Sequence, residues 1–177
     1  FANKDFLDRA DILCSLGHTV MVSNCHKHDV LINYLARCKP KHIGIILGIP
    51  HLLELFNEKY YKHSFGEIMR SFGEIFMRNA KMFVYPFQRE KGSEIITLGN
   101  AEVPNNLKYL FKHLKENRYL VDLDGYDKNV LQILSTKVIQ MIKAGEVGWE
   151  EIVPDTVADI IKEKCLFDYP CEVPSEK

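Results

Sequence analysis

Two continuous apolar runs, HIGIILG (42–48) and KMFVYPF (81–87), constrain this chain most, because helical periodicity lies between them. Short runs of β-branched and aromatic residues read as strands. A strand, a helix and a second strand read as a βαβ unit with a parallel sheet. Runs that are apolar throughout predict strands buried on both faces. HTVMVSN (18–24) has the same character and predicts a further strand near 18–23, ending in Ser23-Asn24. The expected fold class is α/β: a three-layer, Rossmann-like domain with a short, mostly parallel sheet over 1–120. A helical C-terminal region over 121–177 is expected to pack on it, the whole forming one compact unit.

The helices come from spacing and stop signals. Phe6, Leu7, Ala10, Ile12 and Leu13 recur at helical intervals over 3–16, and Gly17 follows as a stop. HDVLINYLARC is helical with Val30, Leu31, Tyr34 and Leu35 on one side, and Lys39-Pro40 breaks it. Pro50 suits the first turn of a helix over HLLELFNEKYY. The repeat SFGEI at 64–68 and 71–75 brings Phe65 with Phe72, and Ile68 with Ile75, onto nearly one helix side. That stripe reads first as a core face, with a homo-oligomer contact through Phe65 and Phe72 as the alternative. Gly66 and Gly73 predict close packing or a break between two shorter helices. Residues 88–104 read as a long loop with a short strand at 94–98, either a lid or arm or a surface hairpin. NNLKYLFKHLKENR turns Leu107, Leu110, Phe111 and Leu114 inward.

Net charge is −1 over 177 residues, with 46% hydrophobic and 27% charged residues. That balance carries no electrostatic footprint for nucleic acid or an anionic membrane. Lys39, Lys41 and His42 form a short basic cluster that reads as a solvated loop. No apolar run reaches the ~18 residues of a membrane span, and no signal peptide is read. Five cysteines, an odd number with no C-x-x-C, predict free thiols in a reducing cytoplasm. The chain opens on Phe1 rather than Met, which predicts a processed chain or a piece of a longer one.

Candidate ligand groups cluster at strand ends, because open α/β sheets bind ligands beyond the carboxyl ends of their strands. These are Ser23 and Asn24, with His26 and His28 close by, then Gly48 and His51. Ser23 or Asn24 is placed to cap the following helix or to help grip a phosphate there. His26 and His28 are two apart and diverge on a helix, so no metal site is expected from them. In STKVIQMIKAG, Ser135 and Thr136 open an apolar-periodic helix that Gly145 ends. Their hydroxyls suit a cap or a phosphate contact. No P-loop, G-x-G-x-x-G, G-x-S-x-G or H-E-x-x-H is present.

The stretch Ile133-Leu134-Ser135-Thr136-Lys137-Val138-Ile139, then Gly145, Ile152-Val153-Pro154, Val157, Ile160-Ile161 and Leu166-Phe167 resembles the C-terminal signature of nicotinate mononucleotide adenylyltransferases. LGHTVMVSN, IGIILG, FNEKYY, KMFVYPF and NNLKYLFKHL also resemble a group of bacterial proteins that often carry that name. The resemblance implies adenylyl transfer from ATP to a pyridine mononucleotide, in NAD biosynthesis, with Mg²⁺. It makes Ser135 and Thr136 phosphate contacts. Leu134 stands where that signature has Ser, and Ile139 where it has Arg, which removes a bidentate phosphate clamp. The family's Gly-rich turn with His-x-Gly-His is absent from these residues.

Two alternatives stand beside it. One is a non-catalytic α/β domain that binds a ligand or partner or oligomerises. The other starts from Asp122-Leu123-Asp124-Gly125, which resembles the aspartate motif of haloacid-dehalogenase-type phosphatases. That motif here follows the Ser23 run instead of preceding it, and Asp124-Gly125 reads as a turn.

Overall fold

The structure, a computed structural model of the chain, describes residues 3–25, 27–57, 59, 61 and 65–171, with Asn3 and Phe65 described by backbone alone. The chain splits into two compact units, one of Asn24–Gln132 and one of Phe1–Ser23 with Ile133–Lys177. This differs from a division at residue 120. The first helix belongs with the C-terminal helices because Ile12 is buried in their core, with Val138, Ile142 and Ile161.

The unit of Asn24–Gln132 holds the sheet. Strand β1 is Ile43–Gly48, β2 is Ala80–Tyr85 and β5 is Leu120–Asp122. β1 pairs parallel with β2 from Ile43↔Ala80 to Gly48↔Tyr85, and β2 pairs parallel with β5 from Met82↔Leu120 to Val84↔Asp122. The order is β1-β2-β5, an α/β arrangement with a short parallel sheet. β5 was not expected as a strand. It is three residues long, and only its ladder to Met82–Val84 makes it one.

Helices α2 (His28–Ala36), α3 (Ile49–Leu55), α4 (Phe65–Phe76) and α5 (Lys108–Glu116) complete this unit. Helix α3 stops earlier than the pattern predicts, and Asn57 Oδ1 accepts the Lys59 N–H in the turn beyond it. One face of the sheet is buried through Ile43, Leu47, Ala80, Met82, Val84 and Leu120. The other carries Ile46, which is 74% exposed. Burial on both strand faces, and with it a helix layer on each side, is therefore not what β1 adopts.

The core is aromatic. Phe56 lies 4.8 Å from Phe72 and, edge-on, 5.3 Å from Phe111, and Phe76 stacks 6.1 Å from Phe72 (centroid distances). Each such pair contributes about 0.5–1.5 kcal/mol beyond its area. α4 runs unbroken from Phe65 to Phe76 and turns Ile68, Phe72 and Ile75 inward. Phe72 thus belongs to the core, while the side chain of Phe65 lies outside the described residues. Gly73 does not serve close packing, since a Cβ there would meet nothing within 4 Å. In α2 the buried residue is Ile32, while Val30 and Tyr34 are exposed, so the packed face is rotated from the one expected.

The segment 88–104 is a surface hairpin: β3 (Phe87–Gln88) pairs antiparallel with β4 (Ile95–Ile96), and Gln88 Nε2 donates to the Ser93 carbonyl at 2.7 Å. Beyond it the Leu98 N–H donates to Asp122 Oδ1 at 2.9 Å, and Lys115 Nζ donates to the Leu98 carbonyl at 2.7 Å. Leu98 is buried, and these bonds tie the hairpin's return to β5 and α5.

The other unit is helical: α1 (Asn3–Ser15), α6 (Ser135–Ala144) and α7 (Asp155–Lys164) close around Trp149, which is 1% exposed. Gly17 ends α1 with φ +85° and Gly145 ends α6 with φ +66°, as their positions predict. The Gly145 and Glu146 N–H groups satisfy the Ile142 and Met141 carbonyls. Leu166 and Phe167 pack back into the core.

The predicted strand at 18–23 does not form. Residues 18–25 carry no regular structure, and Met21 and Val22 are exposed. A β-branched run becomes a strand only when it finds a ladder partner. Cys165 and Cys171 are joined in a disulfide, contrary to the expectation of free thiols, whereas Cys14, Cys25 and Cys38 are free. No helix among the described residues is long and apolar enough to cross a membrane.

Candidate functional site

A cavity of about 280 Å³ opens between α2, α3 and α4, lined by Lys27, His28 and Asp29, by His51, Glu54 and Leu55, and by Tyr61, Ser71 and Ile75. β1 runs directly into α3 through Gly48, with Pro50 in the first turn, so His51 stands just beyond the carboxyl end of a parallel strand. His28 is the first residue of α2. Ser71 opens the second SFGEI repeat, and the helical turn from Phe72 to Ile75 that packs the core also carries Ser71 to the cavity wall.

A second cavity of about 360 Å³ shares Lys27, Asp29, Tyr61 and Ser71 with the first. Its far wall is a fixed hydrogen-bonded group. Glu74 accepts from Asn33 Nδ2 at 2.6 Å and from Arg70 Nε at 3.2 Å. The bond from Asn33, with that from Arg70, holds the Glu74 carboxyl below the usual range.

Burial pushes the His28 imidazole below its ordinary pKa, and the charge of His51 pushes it further. Burial likewise raises the Tyr61 phenol, whose O–H donates to the Leu55 carbonyl at 3.0 Å. The pocket therefore holds two imidazoles, of which His28 resists taking up a proton. An anionic group placed beside His28 opposes that effect, by accepting its N–H bond and favouring its protonation. A neutral imidazole of this kind is also suited to accept a proton.

Of the residues singled out from sequence, His51 lines this cavity and Gly48 leads into it. Gly48 caps α3 in extended backbone at φ −82°, a conformation any residue adopts, and α3 is only seven residues long. Asn24 belongs to the same unit and Ser23 to the other, and both are exposed in the irregular segment. Neither caps α2, whose N-cap is Lys27 without a side-chain bond. His26 lies outside the described residues. Ser135 and Thr136 belong to the other unit and are exposed on the first turn of α6. Leu134 is the N-cap there, with no side-chain cap bond, so the hydroxyls do not cap the helix. Ser135 and Ile139 line an apolar groove of about 470 Å³ with Leu13, Val153 and Val157.

Asp122 stands at the carboxyl end of β5, but its Oδ1 accepts the Leu98 N–H at 2.9 Å, which gives it a tethering role. Where a turn is expected at Asp124-Gly125, the chain bends at Gly125, with φ +74°. Tyr61 and Ser71 are not legible as site residues in the sequence, and His28, read beside the Ser23-Asn24 end, meets His51 only when the helices pack. A broad groove along α5 holds Lys108, Lys112 and Lys115, yet Lys115 bonds the Leu98 carbonyl and Lys112 pairs with Glu116 at 3.6 Å.

No group of three or more His, Cys, Asp or Glu among the described residues is arranged to hold a metal ion. The carboxylates that line the first cavity are Asp29 and Glu54. Comparison with protein-family models, curated proteins and solved structures finds no match to this chain.

Proposed function

We infer that the chain is a nucleotide-binding α/β protein of nucleotidyltransferase type, with a Rossmann-like sheet, whose ligand cleft lies between α2, α3 and α4. Its reaction is adenylyl transfer from ATP to a pyridine mononucleotide, with Mg²⁺ carried on the phosphates. The observation that carries this reading is the convergence of His28 and His51 on one cavity beside the carboxyl end of β1. Paired imidazoles with Lys27 beside them suit phosphate oxygens, and transfer of this kind relies on positioning and charge stabilisation rather than a covalent intermediate. The neighbouring lobe, with Asn33, Arg70 and Glu74, offers oriented donors and acceptors to the rest of a nucleotide. The resemblance over 133–167 supports the same class.

Calorimetry with ATP, and with nicotinate and nicotinamide mononucleotide, each with Mg²⁺, tests it. Heat of binding is expected for at least one, and His28→Ala and His51→Ala should each weaken it about tenfold or more, the loss of one charge-assisted contact. A folded chain that gives no heat with any of the three sinks the reading.

A second reading, a binding module without catalysis, is favoured by Ile139. That residue occupies the signature's Arg position and lines an apolar groove instead of a phosphate site. Nucleotide binding without any dinucleotide product in a coupled assay separates this reading from the first.

A further inference from the structure

The segment that follows α7 is held in an unusual backbone conformation. Cys165, Phe167 and Asp168 have φ of +50°, +54° and +58°, the left-handed region that L side chains avoid. Non-Gly residues persist there only when their surroundings over-determine them. Here the surroundings are specific. The Phe167 N–H donates to the buried Asp8 carboxylate at 2.8 Å, and the Phe167 ring lies 5.8 Å from the Arg9 guanidinium. Asp168 bridges Lys4 at 2.8 Å and Lys143 at 3.3 Å. The Tyr169 ring meets Trp149 edge-on at 5.8 Å. The ends of this strap, Cys165 and Cys171, are six residues apart and joined by the disulfide.

We propose that the Cys165–Cys171 disulfide is a redox latch on this strap. Oxidised, it keeps residues 166–170 folded over α1 and α6, with Phe167 as a wall of the apolar groove between α1, α6 and α7. Cys165 is exposed, so a small thiol reaches the bond. A thiolate attacks one sulfur to form a mixed disulfide, and a second thiol releases it. Two thiols are thereby oxidised to one disulfide, and the protein disulfide is reduced to two cysteine thiols, with electrons and protons balanced. The strap then keeps its buried Leu166 and Phe167 side chains, the Asp8 bond, the Tyr169–Trp149 contact and exposed ion pairs, but loses the closed loop that helps hold its left-handed residues. The strap therefore opens more often, and each opening relaxes the left-handed residues and takes Phe167 from the groove wall. Reoxidation restores it.

The test uses the full chain purified without reductant. Before reduction, mass spectrometry after iodoacetamide treatment should find Cys165 and Cys171 unlabelled while exposed Cys14 reacts. Adding dithiothreitol should then label both. Hydrogen exchange in peptides covering 165–171, including the Phe167 N–H, should accelerate about fiftyfold, the closure entropy of so short a loop. The midpoint of thermal unfolding should fall by about 5 °C. The C165S/C171S double variant should match the reduced protein and ignore dithiothreitol. If that variant does not fold, the titration of the wild-type chain supplies the same readout. Cys165 and Cys171 that alkylate as freely as Cys14 before reduction overturn the proposal. So does exchange over 165–171 that reduction leaves unchanged.

Discussion

The Asp8 carboxylate accepts the Phe167 backbone N–H at 2.8 Å, a buried hydrogen bond between residues 159 apart in sequence. It fastens α1 to the turn that follows α7, inside one helical unit. Asp8→Ala leaves that N–H unsatisfied in the core and should lower stability by about 1–3 kcal/mol. Asp8→Asn keeps an acceptor oxygen and should cost less. Urea denaturation of the two variants checks this, and equal losses would mean that the bond contributes nothing specific.

Gly145 offers a second test of the same unit. Its φ is +66°, and a Cβ there would sit 2.9 Å from Pro170 Cγ. Gly148 has φ +100° but open space around a Cβ. Both Ala variants should destabilise through the backbone, by about 1 kcal/mol or more. Gly145→Ala should lose more, because the Pro170 ring has to move. Equal denaturation midpoints would discount that contact.

The Asp122 tether separates a structural carboxylate from a nucleophile. Asp122→Asn retains an oxygen to accept the Leu98 N–H and should change stability little, whereas Asp122→Ala should cost about 1–3 kcal/mol. If Asp122 instead forms a phosphoenzyme, the Asn variant abolishes all phosphate release while remaining folded. A phosphatase assay on both variants, beside their unfolding curves, decides it.

Ser135→Ala and Thr136→Ala should each fall within about ±0.5 kcal/mol of wild type, because both hydroxyls are exposed and cap nothing. A loss of 1 kcal/mol or more by urea denaturation would point to a cap bond. A drop in ATP affinity at unchanged stability would restore them as phosphate contacts.

His28 sets a pH dependence of stability. Its folded pKa lies below the ordinary value of 6.5, so below about pH 6.5 the unfolded chain takes up a proton that the folded chain resists. The contribution of neutral His28 is full above pH 6.5 and declines as pH falls toward the folded pKa. His28→Asn should flatten the stability profile between about pH 5 and 7. Denaturation midpoints across that range test it, and parallel profiles for the two proteins would refute the assignment. A bound anion between His28 and His51 should tighten as pH falls through the same range.

The elements legible in the sequence are those whose signals are local. β1, β2, α5, α6 and the Gly145 stop follow from spacing and turn chemistry carried within each segment. HTVMVSN and LVD show the limit, for they have similar composition and opposite outcomes. Residues 120–122 find a parallel partner in β2, and residues 18–24 find none. The candidate site divides the same way. His51 was named because it follows a strand end, a position visible along the chain. His28, Tyr61 and Ser71 join it only when three helices pack.

By itself, then, the sequence determined an α/β chain with a parallel pair of strands, its main helices and the stops at Gly17 and Gly145, because those depend on neighbours within a few residues. Only the tertiary structure decided which segments share a core. It placed α1 with α6 and α7, left one face of β1 open at Ile46, joined Cys165 to Cys171 and set His28 beside His51. Those outcomes depend on contacts between residues far apart in sequence, whose free energy exists only once the chain has closed.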